Sequence, residues 1–105
     1  MKLKYDNKEI TLVECKSFFS RFRGFMLKRN INISLLFDHC NSIHTFFMLE
    51  KIDVIFCDEN NNILYFYKDL GPNKIILPKK GVKKVYEVQA GYFDIKVHNK
   101  LEVKE

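Results

Sequence analysis

The segment CNSIHTFFM, residues 40–48, places a thiol, a hydroxyl and an imidazole ahead of two phenylalanines and a methionine. His44 is one of three histidines in the chain, and imidazole is the side chain whose charge most readily changes near neutral pH. On an extended strand, alternate residues share a face, so Ser42, His44, Phe46 and Met48 would lie in line. We expect a buried or half-buried histidine that donates a ring N–H to a backbone carbonyl. A ligand-contacting or acid–base role is the alternative.

A metal site is the second chemistry that this segment suggests. His39, Cys40 and His44 form an H-C-x3-H cluster of ligands that zinc accepts. Residues four apart on a strand, however, lie about 13 Å apart, which is too far for one ion. The same distance argues against Cys40 and His44 as a nucleophile–base pair. We therefore predict no catalytic residue, no metal site and no cofactor.

The segment SFFSRFRGFM predicts one short helix of about two turns. Phe18, Phe22 and Phe25 stand at i, i+4 and i+7, which places them on one helix face. Ser17 is a suitable N-cap, and Gly24 is a suitable residue to end the helix. The simplest role for the aromatic face is to cover an open end of the β structure.

Two acids interrupt apolar β-rich runs and are predicted to be buried. A buried carboxylate needs a cation or several N–H donors, so Asp53 and Glu87 are natural partners for Arg21. A structural Arg–carboxylate link is favoured over a ligand-binding role. Any pocket is expected where the helix meets residues 42–48. Its candidate ligand-binding residues are Arg21, Met26, His44, Phe46, Met48, Asp53 and Glu87.

The rest of the chain is predicted to be β structure. KLKYD and KEITLVECK are expected to pair as a hairpin through Asp6-Asn7, with Ile10 and Leu12 on the buried face. The later β-rich runs are ISLLFD, SIHTFFML, DVIFCD, NILYFYKD, NKIILP, KKVYEVQA and KLEVKE. DVIFCD and NILYFYKD are apolar on both faces and are predicted to be central strands. The expected fold class is mainly β, a small single-domain sandwich or barrel with one short helix.

Length and composition limit the function classes. The 105 residues suffice for one domain, residues 1–105, and the net charge of +5 favours encounters with anions. Three cysteines without a CxxC spacing favour a reducing compartment, and the N-terminus lacks an apolar signal region. We expect a cytoplasmic protein with no membrane partner. The basic run KKGVKK lacks a base-reading motif, so nucleic-acid binding is expected to be weak or absent.

Five short motifs occur in a fixed order along the chain. They are R-x-x-G-F-M at 21–26, L-L-F at 35–37, T-F-F-M at 45–48, I-D-V-I-F at 52–56, and V-Y-E-V-Q-A-G at 85–91. Together they resemble the family called domain of unknown function 192, in its short-loop branch with SIHTFFM, over about residues 17–104. The resemblance implies a compact, mainly β fold and no assigned reaction.

One departure from the family pattern concerns the turn before the last strand. Relatives have Gly-Asp there, whereas this chain has His98-Asn99. Histidine adopts a positive φ less readily than asparagine, so we expect a remodelled turn.

These observations predict an intracellular binding or accessory module for a small molecule or a protein. The first alternative is a small enzyme that uses Arg21, His44, Asp53 and Glu87. The second is a weak binder of nucleic acid or other polyanions through the basic surface.

Overall fold

β-strands provide nearly all the regular structure of the protein. A computed structural model describes residues 1–17, 21 and 23–105. Within these residues it contains nine strands: β1 (Lys2–Tyr5), β2 (Lys8–Glu14), β3 (Ser34–Asp38), β4 (Ile43–His44), β5 (Ile52–Cys57), β6 (Ile63–Leu70), β7 (Ile75–Ile76), β8 (Lys84–Gln89) and β9 (Glu102–Lys104). Each β-rich run predicted from the sequence overlaps one of them.

Seven strands form one curled sheet, a half-barrel, in the order β6-β5-β8-β3-β2-β1-β9. β2 and β3 pair in parallel, and the other neighbours are antiparallel. β4 and β7 form a separate two-stranded sheet. The predicted fold class, mainly β, is confirmed.

The apolar core is divided between the two faces of the sheet, because successive strand residues point in opposite directions. Ile55 and Tyr86 belong to one cluster, whereas Val54 and Val85 belong to the other. β5 is buried along its whole length, as predicted. The inner face of β2 is also as predicted, since Ile10 and Leu12 are buried there.

The prediction that β6 is a central strand is wrong. β6 lies at the end of the sheet order, and Tyr65 on it is 40% exposed. The aromatic residues of β6 suggested burial on both faces, but a tyrosine can pack one side of its ring and leave the other in water. The start of β6 is covered by the turn before β9: Ile63 N–H donates to the Asn99 carbonyl, and His98 N–H donates to the Ile63 carbonyl. These bonds bring the two ends of the sheet together at one corner.

In the turn before β9, the residue with the left-handed conformation is His98, although histidine adopts a positive φ less readily than asparagine. His98 has φ +76°, whereas Asn99 is not among the residues with positive φ. Asn99 instead uses its side chain, whose Nδ2 donates to the Tyr5 hydroxyl at 2.9 Å. This bond holds Asn99 in place, and His98 adopts the strained left-handed conformation.

The long strand predicted for residues 42–48 is also wrong. β4 ends at His44, and a turn follows in which Phe47 has φ +60°. Thr45 is completely buried, and its hydroxyl donates to the Gly71 carbonyl and accepts the Lys74 N–H, each at 2.8 Å. A buried hydroxyl that is satisfied in this way anchors the turn at Thr45. Phe46 and Met48 therefore do not share a strand face with His44.

Helical geometry is present at Arg21 and Arg23. Arg21 N–H donates to the Ser17 carbonyl at 3.0 Å, and Gly24 has φ +48°, as a helix-ending glycine does. The predicted aromatic face lies partly outside the described residues, because it includes Phe18 and Phe22. Phe25 is described and buried. No helix within the described ranges has the length and apolar character needed to cross a membrane.

Candidate functional site

A pocket of about 270 Å³ opens on the face of the sheet that carries Val54 and Val85. It lies between the segment that follows Arg21, the segment 40–48, and strands β3 and β8. Its apolar lining is Phe25, Phe37, Ile43, Phe46 and Met48. Its polar or ionisable lining is Arg21, Arg23, Cys40, Ser42, His44 and Glu87.

Glu87 is the buried polar group of this pocket. On β8 it pairs with Leu35 of β3 and Val54 of β5, so its strand neighbours are apolar. The residue is 4% exposed, and its Oε1 has no hydrogen-bond partner among the described residues. Burial disfavours the charged form and raises the pKa of Glu87 to about 8. The carboxyl is therefore largely protonated at neutral pH.

Gly24 allows the chain to pass close to this carboxyl. A Cβ at Gly24 would lie 3.2 Å from Glu87 Oε1 and 3.4 Å from the end of the Phe37 ring. The positive φ of Gly24 is also a conformation that side chains rarely tolerate. A glycine here therefore lets the backbone approach Oε1 closely, and Oε1 stays buried beside the pocket.

His44 and Phe46 form one side of the pocket as a stacked pair. Their ring centroids lie 5.0 Å apart with an interplanar angle of 28°. The Phe46 N–H donates to His44 Nδ1 at 3.2 Å, so Nδ1 acts as an acceptor. In the neutral ring the proton then resides on Nε2. This bond is separate from the predicted donation of a ring N–H by His44 to a backbone carbonyl, which stays a prediction.

Arg21 lines the pocket, but its hydrogen-bond partner is not the predicted carboxylate. Its Nη1 donates to the Asp38 carbonyl at 2.7 Å. Neither Asp53 nor Glu87 forms an ion pair with it among the described residues. The expected Arg–carboxylate link is therefore not formed. Arg23 also lines the pocket and is exposed.

Asp53 lies on the opposite face of the sheet from Glu87. The β5–β8 register pairs Asp53 with Val88 and Val54 with Glu87, so the two acids point in opposite directions. The Asp53 carboxylate accepts the Asp69 N–H at 2.8 Å and the Gly91 N–H at 2.9 Å. It is a structural clamp between two backbone segments.

The structure brings together five of the seven predicted site residues: Arg21, His44, Phe46, Met48 and Glu87. Asp53 and Met26 do not line this pocket. Sequence reasoning missed the contributions of Phe25, Phe37 and Gly24. Gly24 carried a usable signal, since it is the glycine of the R-x-x-G-F-M motif, but its closeness to Glu87 required the tertiary structure.

The cysteines differ in their surroundings. Cys15 is buried, and burial, reinforced by Glu87, raises the pKa of its thiol to about 11. Burial also raises the pKa of Cys57. Cys40 is partly exposed at the pocket, and its Sγ donates to the Ser42 carbonyl at 3.1 Å. In the part of the chain that the structure describes, no three His, Cys, Asp or Glu side chains are grouped to hold a metal ion.

The sequence model of the family DUF192, described as an uncharacterized ACR, matches residues 1–103. The chain belongs to the DUF192 family. The resemblance predicted from residue 17 onward is confirmed, and the match also includes the first hairpin.

Curated DUF192 relatives carry the name UPF0127 protein. The one from Thermococcus sibiricus is 42% identical over an alignment that covers 74% of this chain and 54% of the relative. The one from Thermococcus kodakarensis is 38% identical, with 71% of this chain and 51% of the relative covered. The chain thus spans about half the length of these two relatives.

Two solved structures share the fold. A proposed transcription regulator from Sinorhizobium meliloti 1021 superposes with a TM-score of 0.80 at 18% identity, covering 96% of this chain and 89% of that one. A protein of unknown function from Novosphingobium aromaticivorans superposes with a TM-score of 0.77 at 12% identity, covering 97% and 82%. At these identities the likeness establishes the DUF192 fold and no activity.

Proposed function

We propose that this DUF192 chain is a cytoplasmic binding module whose small-molecule ligand occupies the Glu87 pocket. One observation carries the proposal: Glu87 Oε1 is buried beside an open pocket and has no hydrogen-bond partner among the described residues. An unsatisfied buried polar atom costs about 1–3 kcal/mol. A ligand that bonds to Oε1 would recover that cost on binding. Three free cysteines support a reducing compartment.

The size and lining of the pocket support a compact ligand. Small-molecule sites are mainly apolar with a few oriented polar groups, and they occupy roughly 300–1,000 Å³. This pocket, at about 270 Å³, lies just below that range. Its aromatic walls and its few polar groups fit the same description.

The test is a screen of small metabolites by amide-resolved NMR on the whole chain. We expect a binding compound to shift the signals of Gly24, His44 and Phe46, which line the pocket. Phe46→Ala should weaken binding about tenfold, because it removes half of the stacked pair. Phe47→Ala is the matched control, since Phe47 is the adjacent phenylalanine, is 65% exposed and does not line the pocket. Equal loss in both variants, or shifts only elsewhere in the protein, would contradict the proposal.

The enzyme alternative has less support. It needs Arg21, His44, Asp53 and Glu87 to act together, but Asp53 points to the other face and is occupied by two backbone N–H groups. The polyanion alternative rests on the basic run at 79–84, where Lys80 and Lys83 are exposed. Exposed lysines of this kind give weak binding that salt abolishes.

A further inference from the structure

We propose that the ligand of the Glu87 pocket is a small organic anion, with its anionic group near Arg21 and Arg23 and an N–H or O–H group bonded to Glu87. The proposal rests on the proposed function, because it names the chemical class that the same pocket accepts. Three features support it: the charge of the lining, the burial of the carboxyl, and the apolar walls of the same pocket.

The described lining of the pocket carries excess positive charge. Arg21 and Arg23 are both cationic at any physiological pH, and Glu87 is the only carboxylic acid among the described lining residues. Because burial keeps Glu87 largely protonated, its charge does not balance the two guanidinium groups. An organic cation would be repelled there, and an anion would be attracted.

Arg21 is already oriented for this role. One of its N–H groups is used by the Asp38 carbonyl, which restrains the guanidinium at the pocket wall. A guanidinium group has five N–H donors in a planar arrangement, so others remain to bind a carboxylate or a phosphate. Arg23 is exposed and adds a second cation on the solvent side.

The inner end of the ligand is selected by Glu87. Its Oε1 is buried and has no hydrogen-bond partner among the residues that the structure describes, so a ligand donor that reaches it would satisfy this atom. The lining of the same pocket also includes the buried side chains of Phe25, Phe37 and Met48. A flat apolar body suits that space, and the stacked His44–Phe46 pair offers it an aromatic wall.

The experiment compares matched probes by amide-resolved NMR titration. 4-Hydroxybenzoate carries both required groups, benzoate lacks the donor, and 4-hydroxybenzylamine replaces the anion with a cation. Uridine 5′-monophosphate tests whether a phosphate serves as the anionic group instead of a carboxylate. We expect the Kd to rise from 4-hydroxybenzoate to benzoate, and binding of the benzylamine to be at least about tenfold weaker, the scale of one charge-assisted hydrogen bond.

Two variants connect the preference to the arginine side chains. Arg23→Gln should weaken anion binding severalfold and leave the fold intact, because Arg23 is exposed. Arg29→Gln is the matched control, since Arg29 is also exposed but does not line this pocket. The same loss in both variants would mean that net charge, rather than the pocket, attracts the anion, and would overturn the proposal.

The outcomes separate this inference from the proposed function. If the benzylamine binds in the pocket as tightly as 4-hydroxybenzoate, the anion preference is wrong and the binding module stands. If none of the probes binds but a metabolite from the screen does, an anionic metabolite supports the inference. A cationic or neutral metabolite overturns it. If nothing perturbs the pocket signals, both proposals fail.

Discussion

Glu87 couples the stability of the fold to pH. Its pKa is raised from 4.5 to about 8 by burial, so the folded state holds a proton that the unfolded state releases above pH 4.5. Stability from this group is therefore fully present below pH 4.5 and falls as the pH rises toward 8, by about 1.4 kcal/mol per pH unit. We expect Glu87→Gln, which keeps size and polarity without a proton to lose, to remove this slope and to be more stable than wild type at pH 8.

The measurement is chemical denaturation of both proteins at intervals from pH 5 to pH 8. Glu59→Gln is the control, because Glu59 is an exposed glutamate in the loop after β5. Parallel stability profiles for wild type and Glu87→Gln would show that Glu87 is ionised in the fold. The charged groups that line the same pocket are Arg21 and Arg23, whereas the Cys15 thiol, whose pKa burial raises to about 11, stays neutral over this pH range.

Asp53 is a residue whose role is structural. Both of its carboxylate oxygens accept backbone N–H groups, and the side chain is completely buried. Asp53→Asn presents an NH₂ group to one of these donors, so we expect a loss of about 2 kcal/mol in the free energy of unfolding. Asp94→Asn, at an exposed position, should change it by less than about 0.5 kcal/mol. Unfolding in urea measures both, and a neutral Asp53→Asn would contradict the clamp.

At the scale of elements, the short β4–β7 sheet holds the His44 side of the pocket in position. Thr45 ties the end of β4 to the segment before β7 through its hydroxyl. Thr45→Val keeps the shape but leaves the Lys74 N–H without that acceptor, so we expect a loss of about 2 kcal/mol. Hydrogen exchange should also accelerate at residues 43–48. Thr11→Val on the exposed face of β2 is the control, and equal exchange in the two variants would refute this role.

The turn before β9 contains a strained residue that a substitution can relieve. His98 has φ +76°, and a non-glycine residue in the left-handed region costs about 1 kcal/mol or more. Glycine adopts this conformation freely, so His98→Gly should raise the free energy of unfolding by about 0.5–1 kcal/mol. Lys100→Gly, beside the turn but without a positive φ, should lower it. Thermal unfolding compares the two, and a destabilised His98→Gly would mean that the imidazole makes contacts worth more than the strain.

At the scale of the whole molecule, the C-terminus completes the sheet. β9 pairs with β1, and Leu101 just before it is 1% exposed in the core cluster that includes Ile63 of β6. Deleting residues 101–105 removes that core side chain and the edge strand, so we expect a loss of at least about 3 kcal/mol. Deleting residues 104–105 removes the exposed Lys104–Glu9 pair and the last paired position of β9 but keeps Leu101, so we expect a much smaller loss. Denaturation curves of the two truncations test this, and similar stabilities would show that the sheet does not need its last strand.

Elements with a clear period were predicted well from the sequence. The first hairpin, the buried β5 and the recurrence of strands after residue 33 all follow from alternation and turn residues, which act over a few positions. The prediction for residues 42–48 failed because the mainly apolar pattern of SIHTFFM gave no sign that the Thr45 hydroxyl would anchor a turn. The bonds that end the strand there come from Gly71 and Lys74, about thirty positions away.

The sequence by itself determined the fold class, the family and most members of the candidate site, since these depend on residue types and local order. Only the tertiary structure decided which acid belongs to the pocket. Asp53 and Glu87 look alike in the sequence, each an acid within an apolar strand, but the β5–β8 register places them on opposite faces. A register is a pairing between distant segments, and moving it by one residue exchanges the faces. That pairing placed Glu87 beside Gly24, where its Oε1 has no hydrogen-bond partner within the described part of the chain, and gave Asp53 two backbone donors.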